Sequence, residues 1–140
     1  MSPWKTLDHT ADLEIEATGE TPEEALEQLC TGLLAQVTEP GLVEPREAVA
    51  LEAEGFDAAE TLVSALGELL YWINARGWVF RRCEALAVTA ARIRLRAWGE
   101  PRNPARHPLE LEVKAPTYHE LFSGPAPGGD GWRIRVLFDV

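Results

Sequence analysis

Apolar and charged residues alternate in several short segments of this chain, and this alternation constrains the fold more than any other feature. The alternating segments are 13–18, 49–54, 92–96, 109–115 and 132–138. A period of two is typical of a β-strand with one face buried and the other in water. We therefore expect several strands, mostly in antiparallel sheets, since antiparallel sheets commonly leave one face solvated.

Two longer segments have the apolar spacing of helices. Thr21-Pro22-Glu23-Glu24 combines a capping residue, a proline at the first helical position and the glutamate of a capping box. Apolar residues then recur at steps of three and four as far as Val37. Asp57 and Glu60 form a second start signal before a leucine-rich stripe, and Gly77 is the predicted stop.

These elements predict one α+β domain over residues 1–140, with two helices packed on six or seven mostly antiparallel strands. A turn rich in proline and glycine over 125–131 predicts a hairpin between the last two strands. A chain of 140 residues buries a core without disulfides. The two cysteines, Cys30 and Cys83, have no metal-site or CxxC spacing and are expected to be small buried apolar residues.

The chain is acidic, with 23 Asp and Glu against 13 Lys and Arg and a net charge of −10 at pH 7. Proteins that bind nucleic-acid phosphates tightly need a basic excess, so the charge favours a basic protein partner or a cation instead. The arginines at 92, 94, 96, 133 and 135 are the one local basic excess, and we interpret them as solvated sheet faces; a docking patch for an acidic surface or RNA is the alternative. No apolar run suits a membrane span and no signal peptide is evident, so we expect a cytoplasmic protein.

Three places contain residues suited to chemistry. Asp8-His9-Thr10-Ala11-Asp12 holds two of the five aspartates and one of the three histidines. Its carboxylates can bind a hard cation such as Mg²⁺ or Ca²⁺, or can cap backbone amides in a turn, and spacing alone leaves both open.

The other two places lie near the C-terminus. Lys114-Ala115-Pro116-Thr117-Tyr118-His119 offers groups for acid–base work, or a solvated lysine and a structurally bonded histidine. In the last strand Asp139 is expected on the face opposite Phe138, next to the terminal carboxylate of Val140. These two residues place several oxygens at one point.

The motifs together resemble the archease family, in order and spacing and over nearly the whole chain. They are Asp8 to Leu13, the helix segment 62–71, Gly99-Glu100, Lys114 to His119, and Phe138-Asp139-Val140. The resemblance implies a small cytosolic α+β protein that activates the tRNA-splicing RNA ligase, which joins 3′-phosphate or cyclic phosphate ends to 5′-hydroxyl ends. It further implies that the protein promotes guanylylation and multiple turnover of the ligase and broadens its nucleotide specificity.

The resemblance also implies a divalent-cation site, for calcium or alternatively magnesium, formed by Asp12, Asp139 and Val140. Lys114 is expected to contribute to activation or partner contact, and the remaining candidates for this role are Asp8, His9 and His119. Pro116 departs from the family, which usually has a small apolar residue there.

We therefore expect a protein that is not itself an enzyme, whose partner is an RNA ligase, and which neither binds nucleic acid tightly nor contacts a membrane. One alternative is a metal-dependent phosphoesterase using Asp12, Asp139 and His9, although a two-metal centre needs more ligands. A second alternative is a general protein modulator or chaperone. The sequence leaves homo-oligomerisation open.

Overall fold

The computed structural model of the protein describes residues 3–7 and 12–140. The elements are β1 (Trp4–Leu7), β2 (Asp12–Gly19), α1 (Pro22–Val37), a 3₁₀ turn (Pro40–Leu42), β3 (Glu47–Glu54), α2 (Ala58–Asn74), β4 (Trp78–Val88), β5 (Arg92–Pro101), β6 (Ala115–Pro116), β7 (Phe122–Pro125) and β8 (Trp132–Asp139).

The strands form two sheets, and every pairing among the described residues is antiparallel. The larger sheet has the order β1-β2-β8, with β6 and β7 pairing with different parts of the other edge of β8. The smaller sheet has the order β3-β5-β4. The predicted α+β architecture is confirmed.

Both helices begin where the capping signals predicted. The Thr21 hydroxyl accepts a hydrogen bond from the Glu24 N–H (3.1 Å), and Asp57 Oδ1 accepts one from the Glu60 N–H (2.8 Å). Each bond satisfies one of the backbone donors that a helix start leaves unpaired. After α2 the chain reverses at Gly77, whose φ of 71° suits glycine.

The core lies between the helices and the inner faces of the sheets. Both helices contact strands of both sheets, so the apolar stripes of α1 and α2 share one core with the alternating strands. Its large, fully buried side chains include Ile15, Leu29, Leu66, Leu95 and Phe138.

The alternating segment 109–115 was wrongly predicted as a strand for most of its length, because only Ala115–Pro116 pairs with another strand. The Glu110 N–H donates to the Val37 carbonyl (2.9 Å), and the Val113 carbonyl accepts from Asn74 Nδ2 (2.9 Å). The ends of the two helices thus occupy backbone groups that a strand would use. The alternation at this place reflects which side chains are buried, because Val113 is buried and its two neighbours are exposed.

The predicted hairpin is confirmed: β7 and β8 pair from Phe122 opposite Arg135 to Pro125 opposite Trp132. The turn contains Gly128, Gly129 and Gly131, all with positive φ. Along the part of the chain that the structure describes, neither helix has the length and apolar character to cross a membrane.

Candidate functional site

The register of β2 against β8 brings together two aspartates from near opposite ends of the chain. Asp12 is directly opposite Asp139, one rung beyond Leu13 opposite Phe138. Directly opposite residues in an antiparallel pair share a face and have Cβ atoms about 4.5–5.5 Å apart. We call Asp12 and Asp139 the terminal rung.

The terminal rung differs in charge balance from the rest of the same sheet face. Glu16 lies near Lys5 (3.9 Å) and Arg133 (3.5 Å). Glu14 lies 3.6 Å from Arg135. Along residues 3–7 and 12–140, the carboxylates of the terminal rung have no ion pair and accept no hydrogen bond. Like charges directly opposite each other are destabilising, so this end of the sheet holds uncompensated negative charge.

The backbone around Asp139 is held on both sides, although its side chain is exposed. On one side it pairs with Asp12, and on the other with Ala115 of β6. The Asp139 carbonyl also accepts a hydrogen bond from the Lys114 N–H (2.8 Å). Val140 therefore follows a residue whose backbone is paired on both sides.

Lys114 is brought next to the terminal rung by its backbone. Thr117 fixes the same segment, because its N–H and its hydroxyl both donate to the Leu137 carbonyl at 2.9 Å. The Lys114 side chain is exposed and has no partner among the described residues. Its amine is therefore free to reach a group outside the protein.

Tyr118 and His119 are not brought to the terminal rung. Tyr118 and His119 are exposed beyond Thr117, and the carbonyl of Glu120 accepts a hydrogen bond from Arg135 Nε (3.2 Å). His119 thus lies beside the middle of β8, away from Asp139.

Asp8 and His9 lie outside the described residues. Within residues 3–7 and 12–140 there is no group of three or more His, Cys, Asp or Glu side chains that could hold a metal ion. The side-chain donors assembled here are two carboxylates. Hard cations accept carboxylate, carbonyl and water oxygens, so this donor set suits a loosely held Ca²⁺ or Mg²⁺ and does not suit Zn²⁺.

The expected solvated faces are present, but the five arginines do not form one patch. Arg92 and Arg94 lie on the smaller sheet, where both pair with Glu52 Oε1, at 3.0 and 3.3 Å. Arg133 and Arg135 lie on the larger sheet beside the glutamates of β2. Arg96 is also on the smaller sheet, 5.8 Å from the centroid of the Trp98 ring. Because the five arginines are divided between two sheets and the other four pair with glutamates, they form no continuous basic surface.

Sequence reasoning missed a second carboxylate site, centred on Glu100, which is 2% exposed. Its Oε2 accepts hydrogen bonds from the Glu44 N–H (2.7 Å) and from His107 Nε2 (3.0 Å), and His107 is fully buried. Its Oε1 pairs with Arg46 (3.2 Å) and with Arg106. Two signals pointed to it: a glutamate directly after the uncharged run Ala97-Trp98-Gly99, and one of only three histidines.

Protonation at the Glu100 site follows from these bonds. Burial alone would raise the pKa of Glu100, but the Glu44 N–H, Arg106 and His107 outweigh it and lower that pKa below its ordinary value. His107 Nδ1 accepts from the Asn103 N–H (2.9 Å), so we assign the ring proton to Nε2, facing Glu100. The site is satisfied internally and joins the segment before β3 to the segment after β5.

Comparisons with known sequences all match this chain to one family. The family model described as "Archease protein family (MTH1598/TM1083)" matches residues 4–140. The archease of Methanopyrus kandleri is 37% identical over 85% of this chain and 87% of its own length. That of Pyrococcus abyssi is 32% identical over the whole of both chains, and that of Ictalurus punctatus is 36% identical over 84% of this chain and 75% of its own length.

The fold gives the same result. The solution structure of Methanobacterium thermoautotrophicum protein 1598 superimposes over the whole of both chains with a TM-score of 0.78 and 26% identity. Full-length similarity in sequence and in fold means that this chain belongs to the archease family.

Proposed function

We propose that this protein activates a tRNA-splicing RNA ligase, which is the activity of archease proteins. In this proposal the acidic terminal rung binds a cation and is presented to that enzyme. The observation that carries the proposal is the pairing of Asp12 with Asp139. It places two uncompensated carboxylates on a backbone fixed by β2 and β6. Like charges fixed opposite each other reduce stability, which is common at sites built for a ligand.

The cation ligands we propose are the carboxylates of Asp12 and Asp139 and the terminal carboxylate of Val140. Oxygen donors with net negative charge favour calcium, with magnesium as the alternative. Three protein residues leave several coordination positions to water or to the partner, so we expect weak to moderate affinity. When bound, a divalent cation supplies positive charge that can orient phosphate oxygens during guanylyl transfer to the ligase.

Lys114 and the net charge of the chain favour binding of the terminal rung to the ligase. Lys114, whose backbone N–H donates to the Asp139 carbonyl, supplies an exposed amine that can contact a phosphate or an acidic group of the partner. The net charge of −10 favours docking on a basic, RNA-binding enzyme and disfavours direct binding to RNA. In this proposal the ligase supplies the catalytic groups and the protein raises its guanylylation and turnover.

The test is a ligation assay with the cognate ligase, a 3′-phosphate RNA and a 5′-hydroxyl RNA. Wild-type protein should raise guanylylated ligase and allow multiple turnovers, and Asp12→Asn should lose most of this effect. Asp130→Asn is the matched control, because Asp130 is exposed in the hairpin turn at the other end of β8. If wild type leaves ligation unchanged, or if it hydrolyses phosphoesters by itself, the proposal is wrong.

A C-terminal extension tests the third ligand. Adding residues after Val140 converts its carboxylate into a neutral amide and should weaken calcium binding, measured by calorimetry, together with ligase activation. The same extension at the N-terminus should change both much less. Equal calcium binding by the two extended proteins would remove Val140 from the ligand set.

A further inference from the structure

An apolar groove lies at the end of the molecule where both helices begin. It has a volume of about 220 Å³, and Pro22 and Ala58, from the first turns of α1 and α2, line it together with residues of both sheets. The larger side chains in its walls are Leu62, Val88, Ile93, Trp132 and Ile134. A cavity of about 150 Å³ holds a benzene molecule, so this groove has room for one Leu, Ile or Phe side chain.

The polar groups of the groove make it suitable for an apolar occupant. The indole N–H of Trp132 already donates to the Ser123 hydroxyl (3.1 Å). Among the described residues that line the groove, none is charged. A charged group buried there would lose its hydration without gaining a partner, so an apolar side chain fits best.

The loop between β3 and α2 presents a phenylalanine to water beside this groove. Phe56 is 97% exposed, more than any other large apolar residue in the described part of the chain. The Gly55 N–H donates to the Ala91 carbonyl (3.1 Å). Glu60 holds the next two residues, because its Oε1 accepts from the Phe56 N–H (3.2 Å) and its N–H donates to Asp57 Oδ1 (2.8 Å). The ring is thus carried by a fixed backbone, which lowers the entropy lost on binding a partner.

The exposed ring and two carboxylates form a recess next to the groove. A volume of about 270 Å³ is lined by Glu54, Gly55, Phe56 and Glu60. Within residues 3–7 and 12–140 neither carboxylate forms an ion pair, since Arg92, directly opposite Glu54, pairs with a different glutamate. An aromatic ring beside free carboxylates suits a Lys or Arg side chain, through cation–π contact and ion pairing.

We propose that the groove and the recess together are a docking surface for a basic segment of a protein partner, in which an arginine or lysine lies close to an apolar side chain. The apolar side chain enters the groove and the cation enters the recess. Phe56 in the recess and Ala58 in the groove are two residues apart, so one short segment reaches both. Charge complementarity selects this occupant, because Glu54, Asp57 and Glu60 favour a basic segment and disfavour RNA or a second copy of the same acidic face.

The docking surface is separate from the terminal rung. It lies at the first turn of α2, whereas the last residue of α2, Asn74, donates from Nδ2 to the carbonyl of Val113, the residue before Lys114. A helix of 17 residues is about 25 Å long. A partner bound at the docking surface therefore leaves the terminal rung open, and variants of the docking surface should leave calcium binding unchanged.

The test is an NMR titration of the ¹⁵N-labelled protein with a short blocked peptide that repeats arginine, alanine, leucine and alanine. In an extended peptide, arginine and leucine then lie on one side. We expect chemical-shift changes at the amides of 54–62 and 88–93 and at the indole N–H of Trp132. Peptides with citrulline in place of arginine, or serine in place of leucine, should each bind roughly fivefold more weakly.

Variants separate the docking surface from general attraction to an acidic protein. Phe56→Ala and Glu54→Gln should each weaken peptide binding roughly two- to fivefold, with an unchanged melting temperature because both side chains are exposed. Phe56→Trp should restore binding, since it keeps an aromatic face. Tyr71→Ala and Glu68→Gln are the matched controls, because both residues are exposed elsewhere on α2, and they should bind the peptide like wild type.

Four results would overturn the proposal. They are no shift changes at millimolar peptide, equal binding of the citrulline peptide, shift changes confined to other acidic surfaces, and the same changes on raising the protein concentration alone, which would assign the face to a second copy. Because none of these residues belongs to the terminal rung, ligase activation is measured separately and bears on the proposed function alone.

Discussion

The Glu100 site and the terminal rung are two carboxylate sites built in opposite ways. Glu100 is buried, and a backbone N–H, two arginines and a histidine satisfy its oxygens. Asp12 and Asp139 face each other with no charge partner among the described residues. One site therefore contributes to stability, whereas the other reduces it and leaves negative charge available to a ligand. The difference shows that charge compensation, rather than the residue type, separates a structural carboxylate from a candidate binding site.

The largest expected effect is on stability at Glu100. Glu100→Ala leaves the Glu44 N–H and His107 Nε2 buried without an acceptor, so the free energy of unfolding should fall by about 3 kcal/mol in urea titrations. Glu52→Ala is the matched control, since Glu52 is exposed and also faces two arginines, and it should cost less than about 1 kcal/mol. Equal losses in the two variants would mean that burial does not set the value of the Glu100 bonds.

Acid should weaken the contribution of Glu100 to stability. The pKa of Glu100 is lower in the folded protein than its ordinary value of 4.5, so its stabilising contribution is complete above that value. It is lost as the pH falls through the folded pKa, because the unfolded chain then binds the proton more strongly. Wild type should therefore lose more stability than Glu100→Gln between about pH 5 and pH 3 in urea titrations. Parallel losses in both proteins would contradict the assignment.

The terminal rung should respond with the opposite sign. Without divalent cations, Asp12→Asn and Asp139→Asn should each raise the free energy of unfolding by about 0.2–1 kcal/mol, because each relieves repulsion across the rung. Calcium should raise the melting temperature of wild type and of Asp130→Asn, since a ligand that binds the folded state stabilises it, and should not raise that of the two rung variants. Destabilisation of both variants in chelator would show that the carboxylates are structural.

The smallest effect on the free protein is expected at Lys114. Lys114→Ala removes an exposed side chain and keeps the backbone bond to Asp139, so unfolding and calcium affinity should change little. If its amine acts on the ligase or its nucleotide, activation should still fall in the ligation assay. Full activation by this variant would leave Lys114 as a solvated residue at the edge of the sheet.

The local elements were predictable because their signals act over a few residues. Thr21 and Asp57 begin helices by bonding a backbone N–H three residues on, and the alternation in 13–18 and 132–138 assigns one side of each strand to the core. Segment 109–115 was mispredicted because alternation of apolar and charged residues shows only which side chains are buried. A strand also needs a neighbouring strand whose backbone forms hydrogen bonds with it. Here the ends of the helices occupied the backbone groups instead.

The sequence by itself determined the two helices, the alternating strands, the acidic charge and the motifs that resemble archease. It also identified Asp12, Asp139 and Lys114 as candidates, but it did not say from its spacing that they are neighbours. Tertiary structure decided that, because the register of β2 against β8 is set by burial of Leu13 and Phe138 on the same face of the sheet. Once those side chains enter the core, the next rung can only place Asp12 opposite Asp139. The partners of Glu100 were decided in the same way, by packing between segments that are remote in the chain.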